Sequence, residues 1–208
     1  MEKMELQQNK QKEIFTTKRL DKPIYIVDIE TDNLLEDVTK IHCLSYGRMV
    51  DNNFWVKTLT DHEEIKQFVS RRDITIVGHN FVSYDNLVLD KILGVKFEHN
   101  QLIDSLYISW ALYPKLLKHG LEEWGNTLGV KKPFVSDWKN PTTEEIKFRC
   151  ESDVKINLLL WTKQFEYLTE IYEGSFEHFI DYIMFISDIM VYQELNPCKY
   201  DVKSANEL

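Results

Sequence analysis

Asp28 and Glu30 stand one residue apart in the stretch IYIVDIETDNLL, at the end of an apolar run. That run is rich in β-branched residues and reads as a strand buried on both faces. Side chains alternate along a strand, so both carboxylates point to the same side. Asp85 follows a second apolar run in GHNFVSYDNLVL, and Asp153 lies within a long helical pattern in RCESDVKIN. The four acids are far apart in sequence, yet each sits at a strand end, a helix start or a helix face. A fold can bring such positions to one cleft. Gathered carboxylates do not all stay ionised without cations. Their natural partners are hard divalent ions with oxygen ligands, Mg²⁺ or Mn²⁺. Two such ions about 3.5–4 Å apart activate a water and stabilise the leaving oxygen in phosphodiester hydrolysis. Taken singly, each acid has a plainer reading. An Asp-x-Glu at a strand end is common, Asp85 suits a helix start, and Asp153 suits a solvated helix position. The conjunction favours metal.

The elements that must position these acids are legible in outline. After the strand over 24–30, residues 41–50 and 53–60 read as two more strands, joined by a hairpin turn at Asp51-Asn52-Asn53. The stretch 61–72 is an amphipathic helix with an N-cap aspartate, and 74–80 is another buried strand. Residues 83–94 form a helix closed by Gly94. Residues 101–114 carry apolar side chains at helical spacing up to Pro114, and a short helix ends at Gly129. The long helix spans 142–172 with Thr142 or Thr143 as N-cap, and a last apolar helix runs to about Leu195. The order βββαβα followed by helices predicts an α/β fold with a mixed sheet flanked by helices. The expected organisation is a tail over 1–22, a catalytic domain over 23–173, and a C-terminal helix with a linking segment over 174–208.

Composition narrows the function classes. The chain has 34 acidic and 25 basic residues, a net charge of −9, which argues against non-specific coating of nucleic acid. Three widely spaced cysteines indicate neither a disulfide framework nor a thiolate zinc site. No apolar run is long enough to span a bilayer, and the polar N-terminus lacks the apolar segment of a signal peptide, so a cytoplasmic protein without a membrane partner is expected. Basic residues gather at Lys115, Lys118, His119, Lys131 and Lys132, with Trp124 and Trp138 nearby. Phosphate contacts and aromatic stacking together hold unpaired strands, and Lys131 is the substrate-binding candidate in this stretch. Trp124 in an amphipathic turn equally suits the core.

The same residues carry a resemblance. VDIET is similar to the first motif, and Asn80 through Asp85 to the second, of the 3′–5′ proofreading exonuclease domain of family A (phage-type) DNA polymerases, in the DEDD exonuclease superfamily. LIDSLYISWAL, KHGLEEWGNTLG and Asp153-Val154 resemble later segments in the same order, so the likeness covers about residues 24 to 165. It implies a ribonuclease H-like fold and metal-dependent hydrolysis of single-stranded DNA from its 3′ end. It makes Asp28, Glu30, Asp85 and Asp153 the ligands of two ions. By the same likeness, Leu34 wedges between terminal bases, Thr31 touches the terminal nucleotide, and Asn80 and Tyr84 line the cleft beside the scissile strand.

One position departs from the pattern. Four residues before the last aspartate, where one branch of the superfamily has a water-orienting tyrosine, this chain has Arg149. The other branch would place a histidine five residues before, where Phe148 stands. Arg149 shares a helix face with Asp153 and is expected to point to the site, holding Asp153 or touching phosphate, with a solvated arginine on the helix surface as the plainer reading; a guanidinium is no practical base. Two alternatives therefore stand beside the exonuclease reading: a catalytically weak DNA-binding module of nuclease fold, and an exoribonuclease of the same superfamily. The C-terminal stretch resembles the segment leading into a polymerase domain. An excised exonuclease domain and a stand-alone subunit partnering a polymerase are both expected forms.

Overall fold

The computed structural model describes residues 19–51, 53–135 and 141–199. Strand β1 (Ile24–Thr31) lies at the centre of a five-stranded sheet. It pairs antiparallel with β2 (Ile41–Val50) and parallel with β4 (Thr75–Gly78). Strand β3 (Asn53–Leu59) extends the β2 side antiparallel, and β5 (Leu102–Asp104) extends the β4 side parallel, giving the order β3-β2-β1-β4-β5. The helices are α1 (His62–Val69), α2 (Asp85–Leu93), α3 (Ser105–Leu112), α4 (Leu121–Leu128), α5 (Thr143–Ile171) and α6 (Glu177–Leu195). This is the predicted α/β class, a mixed sheet flanked by helices. No helix among the described residues is long and apolar enough to cross a membrane.

The buried residues of β1 are Ile26, Val27 and Ile29, while Ile24 and Tyr25 are half-buried. Helix α5 crosses β1 and β2, and Val154 comes so close that a side chain at Gly47 would meet its methyl at 3.2 Å and the Trp55 carbonyl at 2.6 Å. Glycine is what allows the helix to settle there. The helix begins in a reciprocal capping box, with Thr142 accepting from the Glu145 N–H and the Glu145 carboxylate reaching back to Thr142. Thr142 is thus the N-cap.

Two sequence expectations need correction. Residues 101–114 are not one helix. A 3₁₀ turn (His99–Gln101) leads into β5, and helix α3 starts only at Ser105. The run Leu102-Ile103 is buried beside β4, and a short apolar run fits an interior strand as well as a helix. The strand expected over 74–80 stops at Gly78, because the chain turns at once: Asn80 has φ +61°, and a side chain at Gly78 would collide with Phe81. The hairpin turn keeps Asp51 at φ 49° and Asn53 already in β3, while Asn52 lies outside the described residues, as do 1–18. Arg19 is buried and pairs with Asp181 of α6, so the chain is fixed to the body ahead of β1.

Candidate active site

Asp28 and Glu30 leave the same face of β1 toward α5, opposite Ser45 and Cys43 of β2. The register shifts between Glu30 and Thr31, which ends regular pairing just past the acids. Asp153, buried on α5, completes a trio: one ligand atom from each of Asp28, Glu30 and Asp153 lies within 4.8 Å of the others. Asp85, the first residue of α2, is buried on the adjoining wall, and its Oδ1 accepts the Ile29 N–H at 3.2 Å. All four line one open cavity of about 240 Å³, with Asn80, Tyr84, His79, Lys132 and Arg149.

The electrostatics match the crowding. Burial, then the charges of Asp153, Asp85 and Glu30, push the Asp28 carboxyl well up. Burial raises Asp85 and Asp153 as well. Glu30 rises from its ordinary 4.5 to about 7, chiefly by burial and then by the charge of Asp153. Two cations moderate this. The Lys132 ammonium lies 2.5 Å from Asp153 Oδ2, and Arg149 Nε lies 3.2 Å from Glu30 Oε1. Arg149 Nη1 also donates to the Pro133 carbonyl at 2.9 Å, tying α5 to the loop that carries Lys132. Asp153 Oδ1 is buried without a hydrogen-bond partner. An orphaned carboxylate oxygen among three clustered acids fits a divalent cation, since coordination would satisfy it.

These shifts predict a pH response. A carboxyl raised in the folded state favours folding below its unfolded pKa, and that contribution is lost as pH rises through the folded value. For Glu30 the window runs from about 4.5 to about 7. In EDTA the melting temperature should therefore fall between pH 5 and 8. A difference of one pKa unit is ~1.4 kcal/mol, or about 3–6 °C for a chain of this size. Magnesium should raise the melting temperature more at pH 8 than at pH 5, because ligands must be deprotonated. Calorimetric scans over pH with and without magnesium check both.

The other sequence candidates fall on two sides of the rim. The Tyr84 and Thr31 hydroxyls lie 2.5 Å apart, and both reach the Asn33 carbonyl. Leu34, next along, is 74% exposed beside the cleft-forming end of β1. Asn80 is held at its left-handed turn by its N–H bond to Asp104 Oδ1 at 3.0 Å. Arg149 points into the cavity, where it pairs with Glu30 and its charge also pulls the Asp153 carboxyl down. Lys131 is exposed and lines no part of the cavity; its neighbour Lys132 does. In an extended loop adjacent side chains diverge, and the doublet Lys131-Lys132 gave no sign of which would turn inward. Trp124 is core, its indole N–H on Ser109 Oγ, and Trp138 lies outside the described residues.

Two contributors escaped the sequence reading. Asp104, fully buried, accepts the N–H groups of Asn80, Val82 and Leu106 and so fixes the turn ahead of Asp85. Its placement before an apolar helix is an N-cap signal that the run LID concealed. His79 lines the cavity and rests on Ser105 Oγ at 2.8 Å. Burial lowers it to about 3, so it stays neutral.

No family model matches the sequence, and no curated protein does. Solved structures do match. Brucella melitensis NrnC with bound Mg²⁺ aligns with a TM-score of 0.59 and 16% identity over 89% of this chain and 92% of that one. A nuclease in its apo form aligns with a TM-score of 0.61 and 17% identity over 92% of each chain. Escherichia coli RNase D, an exoribonuclease involved in structured RNA processing, aligns with a TM-score of 0.53 and 16% identity over 83% of this chain and 45% of that one. The chain has the ribonuclease H-like fold that these nucleases share.

Proposed function

We propose that this chain is a metal-dependent 3′–5′ exonuclease that trims single-stranded DNA ends, as the proofreading domain or subunit of a phage-type family A polymerase in the cytoplasm. The observation that carries the reading is the convergence of Asp28, Glu30 and Asp153 within 4.8 Å, with Asp85 on the adjoining wall. Asp28, Glu30 and Asp153 would hold the first divalent ion, and Asp28 with Asp85 the second. Bound ions would supply a water of lowered pKa and screen the phosphate's charge. Water oxygen bonds to phosphorus, the bond from phosphorus to the preceding 3′ oxygen breaks, and that oxygen takes up a proton. The products are a nucleoside 5′-monophosphate and a shortened strand.

The remaining residues position the strand and the acids. Arg149 holds Glu30 in place, since a guanidinium keeps its proton. Leu34 and Thr31 meet the terminal nucleotide, and Asn80 and Tyr84 guide the strand. The family relation supporting this rests on the motifs around Asp28, Asp85 and Asp153.

An exoribonuclease is the second reading. It is favoured by the likeness to RNase D, an exoribonuclease, and to an NrnC bound to pGG. Matched 5′-labelled DNA and RNA oligomers, digested with magnesium or EDTA, test both. The expected result is a stepwise ladder from the DNA 3′ end, abolished by EDTA, with RNA cut more slowly. Faster cutting of RNA would establish the second reading. Strand binding without cutting of either would leave a binding module.

A further inference from the structure

We propose that Lys132 is a resident cation of this site, which occupies Asp153 in the metal-free protein and is displaced when a divalent ion binds. The inference rests on the nuclease reading above and concerns how its metal is admitted. The Lys132 ammonium lies 2.5 Å from Asp153 Oδ2, and its side chain is only 19% exposed. Asp153 is itself buried, and its second oxygen has no hydrogen-bond partner.

An ion coordinated by that carboxylate would sit about 2.1 Å from oxygen. Ammonium and ion sharing that one carboxylate, even with the ion on the unpartnered Oδ1, would then be on the order of 5–7 Å apart, in a partly dehydrated cleft where like charges repel. That repulsion favours the departure of one cation. Arg149 is poorly placed to yield, because its guanidinium bridges Glu30 and the Pro133 carbonyl. Lys132 ends in a compact charge on a flexible stem and can swing aside. The pairing therefore keeps the cleft from standing as a bare cluster of acids, and it raises the concentration of ion needed to load the site. The freed ammonium is left facing the cavity that the substrate enters.

Titration calorimetry with Mn²⁺ at pH 8 tests this, using the parent chain, K132M, K132Q and K131M. Both Lys132 variants should bind Mn²⁺ at least ~10-fold more tightly than the parent, since a competing charge is gone. K131M removes the same unit charge from an exposed neighbour and should bind as the parent does. Equal or weaker binding by folded K132M and K132Q overturns the proposal and leaves the nuclease reading standing. Equal tightening by K131M also overturns it, because bulk charge alone would then be responsible. If no variant takes up Mn²⁺, the nuclease reading itself fails. Circular dichroism on the same samples shows whether both substitutions fold. The pair of variants, one apolar and one polar, keeps the comparison open if one does not.

Discussion

The double variant D28A/E30A is expected to lose magnesium-dependent trimming of a labelled oligonucleotide by ~10³-fold or more, since ion-borne stabilisation of several kcal/mol disappears with the ligands. Two of the three clustered ligand groups go, leaving Asp153 paired to Lys132 and no trio to hold an ion. The fold should survive. Asp28 is a crowded acid whose carboxyl is pushed up by burial and by Asp153, Asp85 and Glu30, so its removal relieves repulsion. In EDTA at pH 8 the variant should melt no lower than the parent, and magnesium should no longer raise its melting temperature. Hydrolysis at the parental rate would show that the chemistry happens elsewhere.

The second large effect belongs to a residue that does not touch the substrate. D104A should lower stability by ~3 kcal/mol, because three backbone N–H donors, that of Val82 buried, lose a fully buried acceptor together. That corresponds to a melting temperature about 6–12 °C lower for a chain of this size. Asn80 at φ +61° would lose the bond that holds it, and the turn leading to Tyr84 and Asp85 would loosen. Activity at a permissive temperature should fall as well. D104N keeps an acceptor for two of the donors and should fall between the two. A D104A melt within about 1 °C of the parent would show that the carboxylate is not what fixes the turn.

The residues that could be read in advance and those that could not differ in physical kind. Asp28 and Glu30 were legible because a strand's twofold alternation fixes their common side without any knowledge of the fold. The caps at Asp61, Thr142 and Gly94 were legible because they answer to local backbone needs. Strand β5 was not, since two apolar residues and an aspartate between a 3₁₀ turn and a helix carry no period of their own. Asp104 was missed for the same reason, being the last residue of that strand. The choice of Lys132 over Lys131 depends on which side of a loop meets α5, and that is settled by the Arg149–Pro133 contact across 16 residues. Arg149 was expected to face the cleft and does, but only the assembled site shows it paired with Glu30.

Helix α5 is 29 residues long, roughly 43 Å from end to end, and Asp153 rides in its first half. Its second half is held along one face, with Gln164 donating to the Ser105 carbonyl and Leu168 fully enclosed. A stiff rod transmits a change of tilt at one end to the other. Small repacking lesions near Leu168, many residues from any acid, should thus register as poorer ion uptake before they register as unfolding.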